Sequence, residues 1–347
     1  MPQRKSIPFE MFPRKFKMAI NGMKNPRRGR KRYSETSIRS VINAVGQYLY
    51  VLGRAGLPPE LSYDGLGAFV DYLDGSGLRN STCLSYMAGV QAVAKEVKYP
   101  ATARRVILGD CAFYRDAFKL EVPTKIRKLA ANPITLADIG RAAVKAREQA
   151  YDAATTTRRR TLFIRSGVLA LLSLLPARIG DVTRLEIGKG ISRQDGQWRL
   201  QMTSGKTGYR HNGPLHDSLT RYLDDLIMFG TKGSIEFHYA QRMGTPLFST
   251  ELGEFLSPRT LPYNFKAATG HTPHIVRTLV HDALAEHGTY GADLARILCG
   301  QTSVEIAKIY EVHAARFRAQ KGQKILAEIH LKALQKPSSI SIGGARI

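Results

Sequence analysis

The chain has 347 residues, of which 43% are hydrophobic, so it is long enough for two domains with a sizeable core. Its 52 Lys and Arg residues against 28 Asp and Glu residues give a formal net charge of +24, which favours a polyanionic partner, above all nucleic acid. The longest apolar stretch, residues 168–175, is far shorter than the roughly 20 residues of a membrane-spanning helix. Cys83, Cys111 and Cys299 are too widely spaced for a disulfide framework or a zinc site, which favours a reducing compartment.

Residues 1–33 carry eleven Lys and Arg residues against the single carboxylate of Glu10. The run Pro-Arg-Arg-Gly-Arg-Lys-Arg at residues 26–32 shows no apolar period and contains both Pro and Gly. This composition predicts a basic flexible arm that lies along DNA phosphates. A disordered solubilising tail is the alternative interpretation.

Residues 34–120 are predicted to form an all-α domain of four helices. The first helix begins at a cap near Ser34 and ends at Gly53, with apolar residues spaced three and four apart. The other three are predicted from about residue 63 to 73, from 80 to 97 and within 101–120. Four basic residues of this domain are candidates for phosphate contacts, although each fits a solvated face equally well: Lys95, Lys98, Arg104 and Arg105.

Residues 121–133 contain two prolines, three cations and little periodicity, which predicts an interdomain linker. A second domain then begins with Thr135, which is placed to cap a helix that extends to residue 149. A strongly apolar helix follows over residues 161–175, and Pro176 ends it.

Arg178 comes directly after that helix, and Asp181 lies three residues further on, where it is placed to hold the guanidinium in a fixed orientation. A purely structural ion pair is the alternative. Residues 197–203 alternate between apolar and polar, which predicts a strand that pairs with a weaker strand at 209–215. The turn between them, Ser-Gly-Lys-Thr-Gly, places Lys206 at the hairpin tip. A phosphate-binding P-loop is set aside because Leu200 stands where that motif requires Gly.

The segment 272–310 begins with Thr-Pro, a cap and first-turn pair, so His274 and Arg277 are predicted to share one face of a helix's first turn. A second helix is predicted to end near the Gly-Gln pair at 300–301. A third carries Tyr310. His274 as a simple helix cap and Tyr310 as a core tyrosine are the alternative interpretations.

The order and spacing of these elements resemble the active site of the tyrosine recombinase, or phage integrase, family. That family has an Arg followed three residues later by an acid, a Lys in a hairpin, His-x-x-Arg, and Gly-x with a Tyr nine residues after x. The residues of this sequence that match are Arg178, Lys206, His274, Arg277, Gly300 and Tyr310. Gln301 is a departure, since the family usually has His or Trp there.

The resemblance implies a mainly α fold with a small antiparallel β-sheet in the second domain. Residues 34–120 would then be an all-α core-binding domain that contacts DNA, and residues 134–336 an α+β catalytic domain. Residues 337–347 are predicted to be a flexible tail.

The resemblance also assigns roles. Tyr310 is the nucleophile that forms a 3′-phosphotyrosyl ester, and Arg178 and Arg277 neutralise the phosphate oxygens. Lys206 protonates the leaving 5′-oxygen, while His274 binds a phosphoryl oxygen or helps to accept the tyrosine proton.

Gln301 can donate a hydrogen bond to phosphate but cannot act as a charged acid near pH 7. This chemistry demands no metal and no cofactor. His211 and His271 show no metal-ligand spacing and receive no role.

The function implied is that of a site-specific DNA recombinase of the integrase type, which integrates or excises a mobile element. The implied assembly is a homotetramer on paired sites of double-stranded DNA, in the cytoplasm and associated with the nucleoid. An accessory directionality protein or host DNA-bending protein is a further candidate partner. Two alternatives stay open: a catalytically weakened DNA-binding member of the same fold, which Gln301 favours, and a type IB topoisomerase-like DNA-relaxing enzyme.

Overall fold

A computed structural model describes residues 6–25, 32–301, 323 and 326. It divides the chain into two compact units, Met1–Pro123 and Thr124–Ile347. The division falls inside the segment predicted as a linker, residues 121–133. No helix in the described ranges is both long enough and apolar enough to cross a membrane.

The first unit consists of helices. Ser34 caps the second of them, because its side-chain oxygen accepts a hydrogen bond from the backbone N–H of Ser37 at 3.2 Å. Within residues 6–25 and 32–123, a 3-10 turn at Phe9–Met11 precedes five helices, which are α1 (Arg14–Lys24), α2 (Glu35–Arg54), α3 (Tyr63–Gly75), α4 (Asn80–Glu96) and α5 (Ala101–Leu120).

Helix α1 corrects part of the prediction of a flexible arm over residues 1–33, because residues 14–24 are helical. Phe16, Ile20 and Met23 recur every three or four residues and are buried in the same core as α2 and α4. The high density of charge in this segment conceals that period in the sequence. Burial of the apolar stripe supplies the free energy that orders the helix, at about 25 cal/mol per Å² removed from water.

The second unit, over its described residues 124–301, is mainly helical with one small sheet. Its α7 begins with a capping box, in which Thr135 and Asp138 each accept a hydrogen bond from the other's backbone N–H. The helices are α6 (Thr124–Ala131), α7 (Leu136–Tyr151), α8 (Thr156–Leu174), α9 (Ile179–Val182), α10 (Thr220–Met228), α11 (Ile235–Gln241), α12 (Thr260–Thr269), α13 (Ile275–Leu284) and α14 (Gly288–Leu298), with 3-10 turns at Asp217–Leu219 and Ala285–His287.

Helix α6 lies within the predicted linker, so most of that segment is ordered structure rather than an irregular connection. Leu129 of α6 packs against the core of the second unit, and Ile134 and Leu136 follow it there. These apolar contacts attach the segment to the second unit.

The sheet is antiparallel with the strand order β1 (Ile191–Gln194), β2 (Gln197–Thr203) and β3 (Arg210–Pro214). Strands β2 and β3 agree with the predicted hairpin, while the sequence analysis did not identify β1. Trp198, Leu200 and Met202 of β2 face the core, and the residues between them face solvent. The indole N–H of Trp198 donates to Asp224 at 2.8 Å.

Helix α8 runs through the middle of the second unit's core, and its residues 166–172 are all buried. Gly167 allows α10 to approach closely, since a Cβ atom there would lie 2.6 Å from Leu226. Buried residues at the end of α8, at the start of α13 and in strand β2 belong to the same hydrophobic core. The predicted fold class, mainly α with a small antiparallel sheet, is confirmed.

Candidate active site

Arg178 is half-buried at the N-cap of the short helix α9, and it contacts the turn of the β2–β3 hairpin. Its Nη1 donates to the hydroxyl of Ser204 at 2.7 Å and to the hydroxyl of Thr207 at 3.2 Å. These two hydroxyls fix the guanidinium against the hairpin, on either side of Lys206 in the sequence. Lys206 itself is exposed.

Asp181 is connected to Arg178 through Ser204. Its carboxylate accepts hydrogen bonds from the Ser204 hydroxyl at 2.8 Å, from the backbone N–H of Gly205 at 3.1 Å and from Arg184 at 2.9 Å. The three-residue spacing predicts that Asp181 holds the guanidinium directly. Instead the buried Ser204 hydroxyl relays the orientation, a contact that no spacing rule along the chain predicts.

Arg277 is 2% exposed on α13, and its Nη1 donates to the backbone carbonyl of Pro176 at 3.0 Å. Pro176 lies two residues before Arg178, so this bond attaches Arg277 to the segment that carries Arg178, although the two arginines are far apart in sequence.

His274 is the N-cap residue of α13, which begins at Ile275, and its side chain makes no capping hydrogen bond. The helix therefore begins two residues later than predicted from Thr272 as the cap and Pro273 as the first helical residue. The charges that surround His274 come from four separate segments. Partial desolvation, followed by the positive charges of Arg277, Lys125, Arg178 and Lys206, lowers its pKa to about 4.

The residue as a whole remains exposed, so solvent screens part of this effect. All five contributions have the same sign, and the imidazole is neutral near pH 7. A neutral ring retains a lone pair that can accept a proton.

Lys125 is a residue of this cluster that sequence reasoning missed. It lies at the start of α6, and removal of its ammonium group from water lowers its pKa to about 8, against the opposing effect of Asp282. Residues 121–133 are basic and show little apolar periodicity, so nothing in the sequence distinguishes Lys125 from the other cations of this segment.

Gly300 and Gln301 come directly after α14 and complete the described part of the cluster. The hydroxyl of Thr207 donates to the carbonyl of Gly300 at 3.4 Å. Gln301 is 2% exposed, and neither atom of its side-chain amide has a hydrogen-bond partner among residues 6–25 and 32–301.

His211 on β3 is a second residue that sequence reasoning missed. It is half-buried, and a Cβ atom on Gly300 would lie 3.0 Å from its Nε2. Burial lowers the pKa of the His211 imidazole, as do the charges of Arg277 and Arg178, whereas Asp181 raises it. The strand alternation places residue 211 on the inward face, which is the one sequence signal that points to it.

Cys299 is also close to Arg277 and Arg178, but it has little nucleophilic character. Burial raises the pKa of its thiol to about 11, so the thiolate is scarce near pH 7. Tyr310, the predicted nucleophile, lies outside the described residues, as do the helix predicted around it and the predicted tail at residues 337–347.

Three solved recombinase structures are similar to this chain. The XerH site-specific recombinase bound to palindromic difH substrate, in a post-cleavage complex, has a TM-score of 0.53 at 10% identity and covers 93% of this chain and 99% of its own. The XerH pre-cleavage complex with difH has a TM-score of 0.49 at 12% identity, with coverage of 88% and 96%. The XerA recombinase has a TM-score of 0.37 at 14% identity, with coverage of 89% and 97%.

No protein-family model and no curated protein sequence matches the chain. The likeness to the XerH post-cleavage complex extends over nearly the whole of both chains. The chain therefore has the tyrosine recombinase fold.

Proposed function

We propose that this protein is a tyrosine site-specific recombinase of the integrase type, which cuts and rejoins double-stranded DNA without a metal ion. Its proposed role is the integration or excision of a mobile element, by a homotetramer assembled on two paired sites. The net charge of +24 and the tyrosine recombinase fold support DNA as the substrate.

The observation that carries the proposal is the concentration of positive charge around His274. Arg178, Lys206 and Arg277 come from three segments that are distant in sequence, and each of them lowers the pKa of that imidazole. Like charges repel one another, and a bound anion offsets that repulsion, so such a cluster is suited to an anionic ligand. A phosphodiester is the anion that planar guanidinium groups bind best.

In the proposed reaction, the hydroxyl oxygen of Tyr310 attacks the scissile phosphorus while the bond from phosphorus to the 5′-oxygen breaks. The neutral imidazole of His274 accepts the tyrosine proton, and Lys206 donates a proton to the leaving 5′-oxygen. Arg178 and Arg277 neutralise the oxygens that gain charge in the transition state. A 5′-hydroxyl of the partner strand then gives its proton to Lys206 and attacks the phosphotyrosyl ester. The bond from phosphorus to the tyrosine oxygen breaks, and Tyr310 leaves with the proton held by His274.

Gln301 takes the position where relatives of this class usually have a ring. Its buried amide provides an N–H donor, which supports a role in binding the same phosphate. Because Gln301 is uncharged, the positive charge of the site comes from its arginines and lysines, which are Arg178, Arg277, Lys125 and Lys206.

The test begins with a duplex selected by the wild-type protein from a random DNA library. A set of these duplexes, each nicked at a different position, is incubated with the protein and run on a denaturing gel. We expect a covalent protein–DNA adduct with wild type and none with Tyr310→Phe. Tyr263→Phe, which alters an exposed tyrosine, is the matched control and should form the adduct normally.

An adduct that persists in Tyr310→Phe would remove the nucleophile assignment. Binding without any adduct would favour a catalytically weakened DNA-binding protein. Adduct formation with relaxation of supercoiled plasmid, but without exchange between two selected sites, would favour a topoisomerase-like enzyme. Affinity should fall with salt by about 0.9 in log–log slope for each phosphate neutralised.

A further inference from the structure

Strand β3 brings an imidazole into the candidate active site that is absent from the residues matching the family pattern. His211 pairs in register with Met202, whose side chain faces the core, and it lies half-buried on the inward side of the sheet. Its ring lies edge-on to Tyr209, with the centroids 4.7 Å apart. The backbone of the hairpin therefore fixes the position of the ring.

Gly300 explains why this ring can lie so close to the residues that follow α14. Its φ is +57°, and a Cβ atom there would lie 3.0 Å from both Nε2 of His211 and Cδ1 of Tyr209. Only glycine adopts this backbone conformation at no steric cost and also leaves room for the two rings. The His211 ring is thus adjacent to the Gly300–Gln301 pair.

A chain of contacts connects that pair to the phosphate-binding arginines. Thr207 donates to the carbonyl of Gly300 and accepts from Arg178. The charges of Arg277 and Arg178 both act on the His211 ring, and Asp181 acts in the opposite sense. His211 therefore belongs to the same electrostatic cluster as the two arginines.

Neither ring nitrogen of His211 has a hydrogen-bond partner in the part of the chain that the structure describes. By contrast, the half-buried His238 on α11 contacts the carbonyl of Lys232 through its Nε2 at 3.1 Å. A half-buried imidazole with unused nitrogens beside two guanidinium groups is suited to a ligand that accepts hydrogen bonds.

We propose that His211 is a further phosphate-contacting residue of the site, whose imidazole N–H donates to a non-bridging oxygen of the phosphate held by Arg178 and Arg277. This inference rests on the proposed function and deepens it. The inference also explains how the site tolerates Gln301 where relatives of this class usually have His or Trp. In this chain the His211 ring on β3 takes the place of the ring that those relatives have after the glycine.

The test compares His211→Phe, which keeps a flat ring against Tyr209 but has no N–H, with His211→Gln, which retains a donor. Adduct formation on the selected nicked duplex is measured under single-turnover conditions, alongside duplex affinity and thermal stability. We expect His211→Phe to slow adduct formation by about 10²-fold, the usual effect of removing one transition-state donor. Affinity and melting temperature should stay close to wild type, and His211→Gln should recover part of the rate.

His238→Phe is the matched control, because it removes another half-buried histidine of the second unit and should leave the rate unchanged. A wild-type rate in His211→Phe would overturn the proposal. So would an equal loss in His211→Gln and His211→Phe, since that would indicate packing rather than hydrogen bonding.

A second measurement does not depend on cleavage. The protein is labelled with ¹⁵N at its histidine rings, carries Tyr310→Phe, and is titrated with the intact selected duplex. The ring N–H proton of His211, assigned by its loss in His211→Gln, should move downfield as it forms a hydrogen bond to phosphate. An unmoved resonance in the saturated complex would overturn the proposal even if wild type forms no adduct.

Discussion

Two pairs of arginines in the second unit illustrate how differently the same side chain is used. The structural arginine pair, Arg160 and Arg242, lies against the ring of Phe229, with the guanidinium carbons 3.8 and 5.2 Å from its centroid. Arg160 donates to the carbonyls of Ser249 and Thr250, and Arg242 to those of Leu226, Pro246 and Leu247. Their donors tie the loop that follows α11 to the body of the unit.

The site arginine pair, Arg178 and Arg277, has different surroundings. Arg178 contacts two hydroxyls, and both guanidinium groups act on the ionisable rings of His274 and His211. A cluster of arginines is therefore not by itself a functional site. The site arginine pair differs from the structural arginine pair because it lies near imidazole rings, which can exchange protons and bind an anion.

The largest expected difference between the pairs is in cleavage. Arg178→Lys should slow adduct formation on the selected duplex by about 10²–10³-fold, because Lys lacks the planar fork that binds two phosphate oxygens. Arg160→Lys should leave the rate per folded molecule near that of wild type. Equal losses in both variants, measured under single-turnover conditions, would remove the functional distinction between the pairs.

The next difference is in stability. Arg242→Ala should lower the free energy of unfolding by about 2–3 kcal/mol, because buried carbonyls lose a charged donor. Urea unfolding followed by the fluorescence of Trp198, the one tryptophan of the chain, reports on this unit. A smaller loss than that of Arg178→Ala would contradict the structural role of Arg242.

A third comparison concerns the relay beside Arg178. Ser204→Ala removes a buried hydroxyl that contacts both Arg178 and Asp181, and it should lower the free energy of unfolding by about 1–2 kcal/mol and also slow cleavage. Ser173→Ala, which removes a hydroxyl bonded only within α8, is the control and should not affect cleavage. If Ser204→Ala cleaves at the wild-type rate, the relay does not orient Arg178.

The smallest expected effect is on the pH dependence of stability. The pKa of His274 is about 4 in the folded chain and 6.5 in the unfolded one, so between these values the unfolded chain binds more protons. The free energy of unfolding should therefore fall as the pH is lowered from about 6.5 to about 4. His274→Gln should reduce that slope, while Arg160→Lys should retain it; an unchanged slope in His274→Gln would show that His274 does not sense the site's charge.

Much of the fold could be predicted from local pattern. The caps at Ser34 and Thr135 and the alternation through Trp198 depend on residues within one helical turn or one strand, so the sequence determines them directly. The prediction missed α1 and α6 because cations lie between their apolar residues and conceal the helical period. The core that each helix packs against supplies the stabilisation that orders it.

The sequence by itself also determined which side chains are candidates for the site, through the order of Arg178, Lys206, His274 and Arg277. Only the tertiary structure decided that the Ser204 hydroxyl bridges Arg178 and Asp181 by hydrogen bonds, and that His211 lies beside Gly300. These contacts join residues on different elements, and their geometry depends on how β3, α9 and α14 pack in the second unit. Periodicity along a chain describes one element at a time and carries no information about that packing.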